Sequence, residues 1–166
     1  MKFSDEVAYR LKDEVEVVFG ITGGAVVNLM DSIHKYGPTL VNLHHEQACA
    51  MAADAYARLT GFGVVVGTSG PGATNLITGT CCSWFDSIPV LTIAGQVPSD
   101  QLKMFSLVRQ NGFQETDTVE LFKSITKEAF YLENMTNLDS AINTAKEDRK
   151  GPTFLEFCDD KQRQTN

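Results

Sequence analysis

Two patterns of hydrophobic residues alternate along the chain. In some segments apolar residues recur every three or four positions, as Phe3, Val7 and Leu11 do. This spacing predicts an amphipathic helix over residues 3–14. Other segments are short apolar runs bounded by glycine, proline or polar residues, which is typical of buried strands. Strands are predicted at residues 15–19, 39–43, 64–66, 90–94, 128–132 and 153–157.

Helical patterns separate these strands. They cover residues 3–14, 46–59, 75–85 and 120–124, and two further helices follow residue 24 and precede residue 151. Glycine–proline pairs at residues 37–38 and 151–152 end those two helices. The stretch from residue 96 to about 116 is predicted to be irregular. This alternation predicts an α/β fold, a parallel sheet of about six strands flanked by helices on both faces.

The composition fits one globular domain that covers residues 1–166. Hydrophobic residues make up 43% and charged residues 21% of the chain, which is ordinary for a globular protein. The formal charge of −7 argues against nucleic acid or an anionic membrane as a partner, because both carry negative charge themselves.

Neither the apolar runs nor the cysteines point to a membrane or to secretion. No run approaches the roughly 18 apolar residues that a membrane span needs, and the charged N-terminus lacks the apolar core of a signal peptide. The four cysteines lack the spacing of a metal site. We expect reduced thiols in a cytoplasmic protein.

Four polar or glycine-rich turns follow predicted strands. They lie at residues 20–24, 44–47, 68–75 and 95–98. Parallel sheets bind ligands at the carboxyl ends of their strands, so these turns predict a binding site at one edge of the sheet. None of them has the GxGxxG or GxxxxGKS/T spacing, and Pro71 has no amide hydrogen to donate. They are therefore not expected to cradle a phosphate group.

Glu46 stands at the start of a predicted helix, directly after an apolar strand. Taken alone, the position has two interpretations. Either the carboxylate stabilises the positive end of the helix dipole, which contributes well under about 1 kcal/mol at an exposed site, or it acts on a ligand. The adjacent His44 and His45 have no third ligand close in sequence, so no metal site is predicted.

Five motifs give the chain a family resemblance. They read LHHEQACAMAADAYARLTG, GVVVGTSGPGATN, DSIPVLTIAGQVP, GFQETD and SITK. In this order and at this spacing they resemble the N-terminal pyrimidine-binding (PYR) domain of acetolactate synthase and related thiamine-diphosphate enzymes that act on 2-oxo acids. The resemblance runs from FGITGG to GPTFLEF, nearly the whole chain. It implies the thiamine-diphosphate-binding fold.

The resemblance assigns a catalytic role to Glu46, which matches the glutamate of the family's HEQA motif. That glutamate hydrogen-bonds N1′ of the cofactor's aminopyrimidine ring and favours the imino form, which prepares removal of the proton at C2. The role needs a carboxyl group that readily carries a proton, and burial against apolar walls raises a carboxyl pKa in that direction. The cofactor carries the difficult chemistry, and the protein orients it.

The resemblance also assigns residues to cofactor binding. Pro71, Gly72 and Asn75 match the family's GPGATN turn, which lies against the pyrimidine ring. Thr22 and Gly23, in the first glycine-rich turn, are expected to bind the cofactor too.

Three more positions match residues on the substrate side of the family's site. Gln96 matches the glutamine of GQVP, Phe113 the phenylalanine of FQE and Lys127 the lysine of ITK, and catalytic roles are expected for all three. The residue types alone also allow plain core packing for Phe113 and a solvated strand-end charge for Lys127.

The chain departs from the family at several places. It has ITGG where typical acetolactate synthases have YPGG, an unusual approach to FQE over residues 101–115, and FLEFCDD where an aspartate and a proline usually end the last strand. The first two departures fall near the substrate, so they weaken any claim to true acetolactate synthesis.

The family holds magnesium and the diphosphate on a second domain that carries a GDG motif. No Asp-Gly dipeptide occurs in this chain, and there is no middle domain for FAD. We therefore expect a fragment or a natural subunit. It would work as a homodimer or with a partner chain that carries the diphosphate-binding domain and Mg²⁺, with FAD only in a full-length enzyme. The isolated chain should be inactive.

Two classes of function remain open. In the first, the chain is part of a transferase or lyase that decarboxylates a 2-oxo acid such as pyruvate and joins the product to an acceptor. An alternative within this class is the small subunit of a two-chain 2-oxo acid decarboxylase. HHEQ and GFQE favour the synthase branch. The second class is a non-catalytic domain that binds a partner.

Overall fold

The computed structural model describes residues 1–103 and 107–165 of the chain. Its strands are β1 Val17–Gly20, β2 Thr39–Asn42, β3 Gly63–Gly67, β4 Val90–Gln96, β5 Ala129–Tyr131 and β6 Thr153–Cys158. They form a sheet in the order β2-β1-β3-β4-β6-β5, in which every neighbouring pair is parallel. The predicted parallel sheet of about six strands is confirmed.

Helices fill most of the connections between these strands. They are α1 Phe3–Lys12, α2 Val27–Tyr36, α3 Glu46–Thr60, α4 Pro71–Thr74, α5 Ile77–Asp86, α6 Thr118–Phe122, α7 Met135–Lys146 and α8 Asp159–Arg163. Short 3-10 turns lie at Gly24–Val26, Ser99–Gln101 and Lys123–Ile125. In the described part of the chain, no helix is both long enough and apolar enough to cross a lipid bilayer.

Two helices differ from the sequence prediction. The helix predicted over residues 75–85 corresponds to α5, and a separate short helix that the sequence did not predict, α4, precedes it at Pro71–Thr74. Proline suits the first turn of a helix, where its fixed φ is already helical and an amide hydrogen is not needed. Helix α8 has no predicted counterpart. Residues 104–106 of the predicted irregular stretch lie outside the described residues.

The sheet separates two hydrophobic cores. Along β4, Leu91 and Ile93 belong to one core and Val90 and Ala94 to the other, because successive side chains of a strand point to opposite faces. Helices α1, α2 and α7 pack into the first core, and residues of α3 to α6 pack into the second. The predicted helical cover on both faces is thereby confirmed.

Parallel pairing brings the ends of all strands to one edge of the sheet, which we call the carboxyl edge. It is defined by the last residues of the strands, Gly20, Asn42, Gly67, Gln96, Tyr131 and Cys158. The four polar turns that follow β1, β2, β3 and β4 therefore meet at this edge. The opposite edge, where the strands begin, is the amino edge.

Candidate active site

The N-terminus of α3 holds Glu46 at the carboxyl edge. The helix is capped by His45, whose Nδ1 accepts a hydrogen bond from the backbone amide of Gln47 at 3.1 Å. The Glu46 side chain instead contacts the turn after β3, where Asn75 donates from Nδ2 to Glu46 Oε2 at 3.0 Å. His45 therefore caps the helix. The hydrogen bond between Glu46 and Asn75 directly connects two of the predicted site residues.

The turn between β3 and α4 passes close to this carboxyl group. A Cβ added at Gly72 would lie 3.5 Å from Glu46 Oε1 and 2.5 Å from Cγ2 of Thr68. Gly70 has a φ of +56°, a left-handed conformation that favours glycine. A side chain at Gly72 would clash with Thr68 but would only touch Glu46, so the close packing of this turn against Thr68 depends on glycine there.

A cleft of about 390 Å³ opens beside this turn. Its lining is formed by Gly23, Gly24, Ala25, Thr68, Ser69, Gln96, Val97, Pro98, Gln101, Phe113, Gln114 and Asp159. A Cβ added at Gly23 would lie only 2.5 Å from Cβ of Thr68, so this wall also requires a glycine. The cleft brings together three of the predicted site residues: Gly23, Gln96 and Phe113.

The cleft and the Glu46 carboxyl group are neighbours. Thr68 lines the cleft, and a Cβ added at Gly72 would lie within 3.5 Å of both Thr68 and Glu46 Oε1. Pro71 begins α4 in the same turn and is exposed, and so is Thr22, in the turn after β1. These two residues lie at the correct edge of the sheet, and their roles toward a cofactor stay predictions.

Gln96 is almost fully buried, and its side chain is held on three sides. Its Nε2 donates to the backbone carbonyl of Thr116 and to Oε1 of Glu156, both at 2.9 Å, and its Oε1 accepts from the amide of Val97 at 2.9 Å. Both amide hydrogens are therefore used within the chain. This geometry makes Gln96 part of the cleft wall, and a catalytic role for it stays a prediction.

Glu156 is a site residue that sequence reasoning missed. It lies in β6, fully buried, and its Oε1 also accepts a hydrogen bond from Oγ1 of Thr118. Burial raises the pKa of Glu156 to about 8, and the negative charges of Asp117 and Glu115 act in the same direction. A single carboxylate inside the apolar run FLEFC was the available signal, because such a residue needs partners that only the fold supplies.

Phe113 borders the cleft as an exposed side chain. Its exposed fraction of 78% rules out the alternative of core packing. The next residue, Gln114, also lines the cleft, and its backbone has a φ of +58°. Its carbonyl oxygen would lie 2.6 Å from a Cβ at Gly70, so the two turns are in close contact. Gln114 is a second lining residue that the sequence did not single out.

Lys127 is not brought to the cleft. It precedes β5 and therefore lies at the amino edge, where its backbone amide donates to the carbonyl of Pro152 at 2.8 Å. Its Nζ donates to the backbone carbonyls of Thr144 and Glu147, where α7 ends. A cation there satisfies the last carbonyls of the helix and its negative dipole end. A role for Lys127 toward a substrate stays a prediction that its position in this chain does not support.

The described residues contain no group of three or more His, Cys, Asp or Glu side chains that could hold a metal ion.

Comparison with known proteins assigns the family. Residues 1–121 match the family described as thiamine pyrophosphate enzyme, N-terminal TPP binding domain. The chain belongs to this family. The resemblance inferred from the five motifs is thereby confirmed.

Curated relatives narrow the group. The chain is 39% identical over 155 residues to the probable acetolactate synthase large subunit of Methanococcus aeolicus, covering 90% of this chain and 25% of that protein. It is 39% identical over 153 residues to the acetolactate synthase isozyme 2 large subunit of Escherichia coli, covering 89% of this chain and 27% of that protein. It is 38% identical over 164 residues to the acetolactate synthase large subunit of Haemophilus influenzae, covering 95% of this chain and 28% of that protein. The chain thus spans about a quarter of the length of these relatives.

Proposed function

We propose that this chain is the pyrimidine-binding domain of an acetolactate synthase-like enzyme that decarboxylates a 2-oxo acid such as pyruvate and joins the product to an acceptor. One observation carries the proposal: Asn75 orients the Glu46 carboxyl group at the carboxyl edge, next to a cleft. The names of the relatives support the reaction class.

The residues at this edge fit the aminopyrimidine ring of thiamine diphosphate. A planar ring with a polar rim needs close backbone approach on its faces and a fixed carboxyl group at its edge. Gly72 supplies the close approach, since a Cβ there would clash with Thr68 and would fill the space beside Glu46 Oε1. The bond from Asn75 holds Glu46 Oε2, and within residues 1–103 and 107–165 no donor is bonded to Oε1. Oε1 is thus available to the ring.

Each side chain then has a defined task. Glu46 holds a proton at N1′ of the pyrimidine, and Asn75 keeps its carboxyl group in one orientation. When bound, thiamine diphosphate supplies the carbon nucleophile that adds to the 2-oxo acid. Val97 and Phe113 give the cleft an apolar lining.

Other parts of the enzyme are proposed to complete the site. We place the diphosphate group, its Mg²⁺ ion and any FAD outside these 166 residues, because the relatives are about four times longer than the aligned segment. The single domain 1–166 would then act in a homodimer or with a partner chain.

Product analysis on the complete enzyme, with thiamine diphosphate and Mg²⁺, tests this proposal. With pyruvate as the substrate we expect acetolactate that forms only in the presence of the cofactor. Acetaldehyde as the sole product would favour the two-chain decarboxylase instead. If neither pyruvate nor 2-oxobutanoate is consumed, the chain is not part of such an enzyme and the partner-binding alternative gains support.

A further inference from the structure

A buried polar cluster lies directly behind the cleft wall. It consists of Gln96 from β4, Tyr131 from β5, Glu156 from β6 and Thr118 at the start of α6, and we call it the Glu156 cluster. Oε1 of Glu156 accepts from Gln96 Nε2 at 2.9 Å and from Oγ1 of Thr118. These two bonds therefore tie strand β4 and helix α6 to one carboxyl group on β6.

The cluster also holds the segment of residues 113–118. Gln96 donates to the carbonyl of Thr116 at 2.9 Å, and Thr118 donates to Glu156 itself. The same segment carries Phe113, whose side chain lines the cleft. The position of this part of the cleft wall thus depends on contacts made by Gln96 and Glu156 together.

The surroundings of Glu156 favour a neutral carboxylic acid. The residue is fully buried, and its Oε2 has no hydrogen-bond partner of ordinary geometry in the described part of the chain. A buried ionised carboxylate with an unpaired oxygen is strongly unfavourable.

The titratable groups around Glu156 act on its pKa in both directions. Asp117 and Glu115 in the adjoining segment are acidic, Tyr131 lies on the neighbouring strand β5, and the thiol of Cys158 lies two residues further along β6 itself. The side chains of Tyr131 and Gln96 lower the pKa of Glu156, yet burial outweighs them and the pKa rises to about 8.

We propose that Glu156 is a positioning residue: as a neutral acid it holds residues 113–118 in place as a wall of the cleft, and its ionisation releases them. The inference rests on the proposed function only in taking this cleft as the substrate cleft. A charge on Glu156 would need water and would repel Asp117 and Glu115, both of which lie on the segment. Movement of residues 113–118 admits water and separates these charges, and it carries Phe113 away from the cleft.

Hydrogen–deuterium exchange of the 166-residue chain tests this inference without cofactor or substrate. Protection of the amides in residues 113–118, corrected for the intrinsic pH dependence of exchange, is compared between pH 6.5 and pH 9. We expect a loss of about tenfold, which is the fall in the neutral fraction of a group with a pKa of about 8. Those amides of α7 that exchange through local opening, rather than through global unfolding, serve as the internal reference and should keep their protection.

Two variants sharpen the experiment. Glu156→Gln keeps the shape and cannot ionise, so its segment should stay protected at pH 9. Glu128→Gln removes an exposed carboxyl group next to β5 and should behave like the wild type.

Several results would overturn the inference. These are unchanged protection of wild-type residues 113–118, an equal loss in α7, or the same pH dependence in Glu156→Gln. If Glu156→Gln does not fold, the wild-type comparison between the segment and α7 decides. None of these outcomes bears on product formation by the complete enzyme, so the proposed function is tested separately.

Discussion

The stability of this chain should fall as the pH rises from 6 to 8.5, and Glu156 is the reason. Its pKa of about 8 in the folded chain lies well above the ordinary 4.5, so the folded state binds the proton more tightly than the unfolded state does. The stability that this provides is fully present below pH 4.5 and is lost as the pH rises through 8. One pKa unit corresponds to about 1.36 kcal/mol. Between pH 6 and 8.5 these two pKa values give a loss of about 2.5 kcal/mol.

Urea unfolding at pH 6, 7, 8 and 8.5 measures this loss. Glu156→Gln should change by less than about 0.5 kcal/mol over the same range and should be more stable than the wild type at pH 8.5. Glu128→Gln, which removes an exposed carboxyl group, should keep the wild-type slope. A wild-type free energy of unfolding that is constant from pH 6 to 8.5 would refute the assignment of a raised pKa to Glu156.

Two further predictions concern packing and assembly. Phe122 is fully buried, and its ring stacks on Phe154 with the centroids 4.0 Å apart, so Phe122→Ala should lower the free energy of unfolding by about 3–5 kcal/mol. Phe85→Ala changes a side chain that is 75% exposed and should alter this free energy by less than about 0.5 kcal/mol. Equal effects of the two substitutions would contradict the assignment of this core. Helices α3 and α5 expose Met51, Leu59 and Phe85, and we predict self-association through these faces. Light scattering that finds a strict monomer at high concentration would show that other parts of the enzyme supply the interface.

The architecture could be predicted from the sequence because the periodicities were clear. The buried strands β3, β4 and β6 are apolar runs, and the alternation with helices fixed the parallel sheet. Errors occurred at the ends of elements. Val15 was assigned to the first strand, yet its amide bonds to the carbonyl of Leu11 and continues the turn that ends α1. An apolar run alone does not tell where a helix stops and a strand starts.

The site could be predicted in part. Glu46 and Asn75 follow different strands, and parallel pairing brings them together as the position of their turns implied. The match to the ITK motif did not show at which end of a strand Lys127 lies. In the structure it precedes β5 and therefore lies at the amino edge. Glu156 escaped notice because its properties come from Gln96 and Thr118, neighbours that lie far from it in sequence.

The central claim is that Glu46 holds a proton at N1′ of thiamine diphosphate. Hydrogen–deuterium exchange at C2 of the cofactor, measured by NMR on the complete enzyme, tests it most directly. Glu46→Gln keeps the shape of the side chain, and the amide oxygen of glutamine can still accept the hydrogen bond from Asn75. Because the variant lacks the ionisable group, we predict that exchange at C2 is slower by about 10²–10⁴-fold, the usual contribution of a proton-transfer group. Glu16→Gln, at an exposed residue, is the matched control and should exchange at the wild-type rate. Equal exchange rates in Glu46→Gln and the wild type would contradict the account and leave Glu46 as a structural residue of α3.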